Sequence, residues 1–204
     1  MITIIDYGVG NIRAFENVYK QLNIPITIAT TTTALENATR IILPGVGAFD
    51  YAMEQLNKSG MRECLNEKVL VQRVPVLGIC VGMQMLANRS DEGVLNGLGW
   101  IDGEVRKFDP AQINQATQLP HMGWNDVQPK SDNGLFTELT TNSKFYFLHS
   151  YYFKAHRNQD ILAVTNYGDE FSSAVNAGNI YGVQFHPEKS HHYGIRLLKN
   201  FANL

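Results

Sequence analysis

The stretch Val76-Leu-Gly78-Ile-Cys80-Val-Gly82-Met-Gln84 sets a cysteine between glycines where a buried apolar run should turn into a helix. A thiol placed there is the cysteine version of a nucleophile elbow. The turn is strained, the glycines leave room for close packing and for substrate, and a helix N-terminus offers partial positive charge and free N–H groups. Both effects favour the thiolate, the form that attacks a carbonyl. The competing reading is a small buried hydrophobe in a tight turn. A general base is available in Gln184-Phe-His186-Pro-Glu188. Pro187 biases His186 toward extended backbone, and residues two apart on an extended segment point to one side, so His186 and Glu188 should share a face. A carboxylate that orients the imidazole and stabilises its protonated form would complete a Cys–His–Glu triad. The alternative is a surface histidine beside a solvated glutamate. Oxyanion donors could come from the Val81 N–H and from Pro44-Gly45-Val46-Gly47, where flanking glycines let a peptide unit reorient.

These residues need a scaffold, and the apolar pattern supplies one. Ile2 to Ile5, a helix carrying Ile12, Phe15, Val18, Tyr19 and Leu22, then Ile24 to Ala29 read as strand, helix, strand. The alternation continues with a strand at 40–43, a helix burying Phe49, Met53 and Leu56, a helix from Met61 to Leu70, and a strand from Val76 to Ile79 entering a helix from Val81 to Asn88. After Gly99 the texture is β-rich: Ile101 to Phe108, Lys144 to Tyr152, Ile161 to Asn166, Ser172 to Asn176 and Ile180 to His186. A helix from about Ser190 to Ala202 should pack Leu197, Leu198 and Phe201 on the sheet. The expectation is an α/β fold in a single domain, residues 1–204: a mostly parallel sheet with helices on both faces and added antiparallel strands.

Composition narrows the partners. Seventeen basic against 19 acidic residues give no electrostatic case for nucleic acid or anionic lipid, so a small molecule or another protein is expected. Cys64 and Cys80 cannot build a disulfide framework, and the first residues lack the features of a secretory signal, which points to the reducing cytoplasm. The most apolar stretch, Val74 to Ala87, is interrupted by Pro75, Gly78, Gly82 and Gln84 and falls short of the ~18 apolar residues of a membrane span.

Together, Pro44-Gly-Val-Gly47, Gly78-Ile-Cys-Val-Gly-Met-Gln84 and His186-Pro-Glu188 resemble the class I, triad-type glutamine amidotransferase domain, in order and spacing through nearly the whole chain. Asp6-Tyr-Gly-Val-Gly-Asn11, Pro120-His-Met-Gly-Trp-Asn125, Phe147-Leu-His-Ser-Tyr151 and His186-Pro-Glu-Lys-Ser190 narrow it to the branch that serves imidazole glycerol phosphate formation. The resemblance implies that L-glutamine is hydrolysed here to glutamate, without a cofactor, and that ammonia passes through a (β/α)8 synthase subunit in a heterodimer. It implies Cys80, His186 and Glu188 as the triad, Val46 and Val81 as oxyanion donors, and Gly47, Gln84, Glu92, Ser150 and Tyr151 around glutamine. Asn11, Trp124, Asn125, Tyr146 and Lys189 would face the partner. The continuation His191-His-Tyr-Gly-Ile-Arg196 and the helix start Arg13-Ala-Phe15 depart from that branch's pattern. They leave open a second partner, a sugar-amidating synthase of surface polysaccharide formation served by similar subunits.

Three rivals are weaker. A metal site from His186, Glu188, His191 and His192 lacks Cys-x-x-Cys or His-Glu-x-x-His spacing, and a helix from Ser190 would point the last two histidines in different directions. A dinucleotide fingerprint at Gly8-x-Gly10 fails because Arg13 occupies the third glycine position. A catalytically idle regulatory subunit should have lost the nucleophile or the base.

Overall fold

The computed structural model describes residues 1–114, 118–130, 133–141 and 143–204. The chain forms β1 (Ile2–Ile5), α1 (Ile12–Gln21), β2 (Ile26–Ala29), α2 (Thr32–Leu35), β3 (Ile41–Gly45), α3 (Phe49–Lys58), α4 (Arg62–Asn66), β4 (Val76–Cys80) and α5 (Val81–Gln84). There follow β5 (Arg89–Ser90), β6 (Gly103–Lys107), β7 (His121–Asp126), β8 (Gln128–Pro129), β9 (Lys144–His149), β10 (Tyr151–Ala155), β11 (Ile161–Tyr167), β12 (Asp169–Ala177), β13 (Ile180–Val183) and α6 (His191–Asn203).

The main sheet runs β2-β1-β3-β4-β13 in parallel and then turns antiparallel through β12 and β10 to β6, with β11 and β8 attached beside β12. The antiparallel part is thus as extensive as the parallel part. Every residue of β1, β3 and β4 is buried, as continuous apolar runs must be in a sheet covered on both faces. The connection β1-α1-β2 steps one way along the sheet, whereas β2-α2-β3 and β3-α3-α4-β4 step the other. Right-handed crossovers therefore put α1 on one face and α2, α3 and α4 on the opposite one. α6 joins α1, tied by the Tyr19 hydroxyl donating to the Leu198 carbonyl at 3.2 Å, and buries Leu197, Leu198 and Phe201 as expected.

Several elements differ from the sequence reading. The helix expected from Val81 to Asn88 stops at Gln84. The carbonyls of Met85, Leu86 and Ala87, which would accept from the next helical turn, instead accept from the N–H groups of Leu98, Gly99, Trp100 and Ile101. The strand expected over Lys144 to Tyr152 breaks at Ser150: β9 pairs with β7 in a separate two-stranded sheet, and β10 pairs with β6 in the main one. β7 itself was not foreseen, since Gly123 and Asn125 interrupt its apolar pattern. Residues 24 and 25 do not begin β2, because the Ile24 N–H closes α1 by donating to the Tyr19 carbonyl at 3.0 Å. The helix expected through Leu70 passes after Asn66 into a π-type turn over Glu67–Val71.

β7 and β9 bring together a buried histidine pair, 3% and 6% exposed for His121 and His149. His149 Nδ1 donates to the Tyr151 carbonyl (2.7 Å), which leaves its Nε2 to accept from His121 Nδ1 (3.0 Å). His121 Nε2 then accepts from the Asn125 amide (3.2 Å), so each ring is held in one neutral tautomer. Burial pushes His121 down to about 4; burial, aided by the neighbouring His121 charge, pushes His149 down to about 3. A folded-state pKa below the unfolded value means the unfolded chain takes up the protons first. Stability from this pair is present above about pH 6.5 and is lost as pH falls toward 4 and 3. His186 is displaced the other way, and its contribution is complete below about pH 6.5, so it does not offset the loss. By pH 5 each buried ring should cost about 2 kcal/mol. Urea midpoints measured at pH 7 and pH 5 should fall accordingly; equal midpoints would show that the rings protonate freely in the fold.

Candidate active site

Cys80 ends β4, paired in register with Gly45 of β3. Its backbone sits at φ 56° and ψ −115°, a conformation that side-chain-bearing residues rarely adopt. Close packing imposes it. A Cβ on Gly78 would lie 2.6 Å from the Gly82 carbonyl oxygen, and one on Gly82 would lie 2.0 Å from the Leu43 carbonyl oxygen. The strand-to-helix turn of residues 78–82 is thus pressed against β3 with no room for side chains. α5 has only four residues, so its dipole is a fraction of a full helix's, and the helix-end support expected for the thiol is correspondingly small.

The charge partner is His186, which follows β13. The parallel pairing of β3, β4 and β13 places the loops after all three at the same end of the sheet, where α/β folds bind ligands. His186 Nδ1 lies 2.9 Å from Glu188 Oε1, and both side chains are nearly fully buried. The route to this contact differs from the extended segment inferred above: His186 is extended, but Pro187–Lys189 forms a 3-10 turn that swings the carboxylate back to the ring. The Cys80 side chain is the ring's second interaction partner. Burial alone would lower the imidazole's pKa, but the hydrogen bonds and charges of Cys80 and Glu188 outweigh it and raise the ring to about 10. The proton needed by a leaving amine is therefore already on His186 at neutral pH.

A cavity of about 280 Å³ opens beside the sulfur, lined by Val46, Gly47, Cys80, Val81, Gln84, Glu92, Pro120, Leu148, His149, Ser150, Tyr151 and His186. All of the ligand positions expected from the sequence meet here, and Glu188 stands behind His186. Val81 is the first residue of α5, where the N–H has no partner within the helix. Val46 is 41% exposed at the mouth, next to Gly47 at φ 84°. The Gln84 amide donates to the Tyr151 carbonyl and to Gln184 Oε1, both at 3.1 Å, which fixes its orientation. Glu92 Oε2 accepts from the Phe49 N–H at 2.9 Å, placing the carboxylate in the wall.

Two participants escaped the sequence reading. Gln184 is fully buried, with its amide nitrogen 3.8 Å from Cys80 Sγ. It lies two residues before His186, and the alternation by which the sequence reading paired His186 with Glu188 could have found it. Tyr7 donates to the Pro44 carbonyl at 2.6 Å, and burial, reinforced by Cys80, raises its pKa so that it keeps its proton. It thereby pins the start of the Val46 loop.

Three of the residues expected to face a partner, Trp124, Tyr146 and Lys189, lie together. Trp124 is 45% exposed, stacked on His191 at a ring separation of 5.0 Å and set edge-on to Tyr146 at 6.0 Å. Lys189 Nζ lies 5.8 Å from the Tyr146 ring centre. Asn11 is exposed at the start of α1. Asn125 differs: its amide is turned inward to His121 and to the Asn166 carbonyl. Among the described residues no helix is long and apolar enough to cross a membrane, and no three His, Cys, Asp or Glu side chains converge as a metal cluster.

Comparison with known proteins matches the chain over residues 3–203 to the model of the glutamine amidotransferase class-I family. It is 59% identical, over the full length of both chains, to the imidazole glycerol phosphate synthase subunit HisH of Bdellovibrio bacteriovorus. It is 52% identical, again over both full lengths, to the protein of that name in Leptospira interrogans. In fold it resembles a solved glutamine amidotransferase with a TM-score of 0.75 at 19% identity, covering 100% of this chain and 98% of the other.

Proposed function

Since this chain belongs to the class-I glutamine amidotransferase family, we propose that it is the glutamine-hydrolysing subunit of an imidazole glycerol phosphate synthase, with Cys80 as nucleophile. The observation that carries the chemistry is the contiguous set Cys80, His186 and Glu188, opening on a pocket of the size for one amino acid, with Gln84 and Glu92 among its walls.

Cys80 Sγ attacks the side-chain amide carbon of glutamine, and the carbonyl oxygen takes the negative charge, stabilised by the Val81 and Val46 N–H groups. His186 gives its proton to the amide nitrogen, the C–N bond breaks, and ammonia leaves a γ-glutamyl thioester on Cys80. Water then donates a proton to His186 as it attacks the thioester carbon, and the C–S bond breaks to release glutamate and restore the thiolate beside the protonated ring. Glu188 holds the ring and balances its charge without taking the proton. Glu92 accepts the substrate's α-ammonium group, Gln84 and the Gly47 loop hold its length, and the backbone at Ser150 and Tyr151 meets its carboxylate.

The relatives' description as subunits supports a partner that consumes the ammonia. We place a (β/α)8 synthase against the Trp124, Tyr146 and Lys189 surface, as a cytoplasmic heterodimer. Tracing the amide nitrogen tests this. With amide-¹⁵N glutamine, the imidazole-forming synthase, its nucleotide substrate and excess unlabelled ammonium, the imidazole ring should carry ¹⁵N. Label that reached product only when a sugar-amidating synthase was supplied instead would transfer the chain to that second role.

A further inference from the structure

Resting on the reading of Glu92 as acceptor for the substrate's ammonium group, we infer that Asp50 is the positioning residue that sets the glutamine pocket's selectivity for an α-amino acid. Asp50 lies in the first turn of α3, half-buried, and the mechanism gives it no part. Its Oδ2 accepts from the Val94 N–H at 2.9 Å and its Oδ1 from the Leu95 N–H at 3.0 Å. The residue before it closes the same clamp from the other side, through the Phe49 N–H to Glu92 Oε2. The loop that carries Glu92 is otherwise tied by the Glu92 N–H to Ser90 Oγ at 3.1 Å, by the Asp91 N–H to the Val105 carbonyl and by the Gly97 N–H to the Asn88 carbonyl.

Val94 at the tip of this loop is 92% exposed and adds no packing, while Leu95 beside it is partly buried against the core. Residue 93 also presses on the Asp50 carboxylate so closely that a Cβ there would lie 2.0 Å from Oδ1. A carboxylate is the side chain suited to this place: it has acceptor lone pairs for two successive N–H donors, and its negative charge is favoured in the first turn of a helix. An asparagine offers one acceptor and presents an N–H₂ to the second donor. With Asp50 in place, Glu92 is held by α3 through Oε2 while Oε1 belongs to the ligand.

The test uses the Cys80→Ala chain, which binds without turning over, and two ligands: L-glutamine, and the same amide lacking the amino group, 5-amino-5-oxopentanoate. Asp50→Asn should weaken L-glutamine roughly tenfold, the scale of one compromised charge-assisted hydrogen bond, and leave the analogue within about twofold. Asp50→Ala should weaken glutamine further with the same selectivity. Equal weakening of both ligands, or of neither, overturns the assignment. Glu92→Gln separates this from its premise. If Glu92→Gln leaves the preference for the amino group intact, the reading of Glu92 falls. If it abolishes that preference while the Asp50 variants keep it, only the role of Asp50 falls.

Discussion

Replacing Cys80 with alanine is expected to remove glutamine hydrolysis by a factor of at least about 10⁴ while the fold and ammonia-dependent synthesis by the partner survive. The sulfur is the one thiol among the residues that line the pocket, whereas alanine at its strained backbone position removes only a side-chain tip. His186→Asn should fall nearly as far, because residues that act as a unit lose their effect together. Glutamate release measured by coupled assay, beside product formation from added ammonium salt, distinguishes the outcomes. Loss of both activities would mean that the substitution damages the fold.

The second large effect falls on stability. A methyl group at residue 82 would meet the Leu43 carbonyl oxygen at 2.0 Å and the Leu43 carbonyl carbon at 3.0 Å, contacts that flexible side chains cannot relieve because both atoms are backbone. Gly82→Ala must therefore push α5 away from β3 or shift the sheet, at a cost of about 3 kcal/mol or more. Thermal melting should show a drop of several degrees, with lost activity accompanying it, since Cys80 and the Val81 N–H ride on the displaced turn. A melting temperature equal to wild type would show that the elbow has slack the packing does not suggest.

The parallel half of the fold was legible because β1, β3 and β4 are buried on both faces and so read as unbroken apolar runs between turn residues. Cys80, His186 and Glu188 were legible because each stands in a short segment whose backbone preference is strong: a glycine-framed turn, and a residue fixed by the proline after it. What escaped the reading depends on distant partners. The end of α5 at Gln84 is set by the N–H groups of residues 98–101, and the break at Ser150 by β7 and β6 claiming successive parts of one apolar run. The 3-10 turn that carries Glu188 to His186 shows a correct contact reached through the wrong local geometry. Gln184 and Tyr7 were missed because their roles lie in contacts to Cys80 and Pro44, 104 and 37 residues away in sequence.

The most direct test of the nucleophile is peptide mapping after treatment with a glutamine-shaped chloroketone, which alkylates the attacking sulfur. Cys80 lines the pocket together with the His186 imidazole, while Cys64 sits half-buried with its thiol toward the Thr32 carbonyl. One adduct per chain on Cys80, blocked by L-glutamine and absent in His186→Asn, is the expected result. An adduct on Cys64, or labelling of Cys80 that glutamine does not slow, would contradict the assignment of this pocket as the place where glutamine is cleaved.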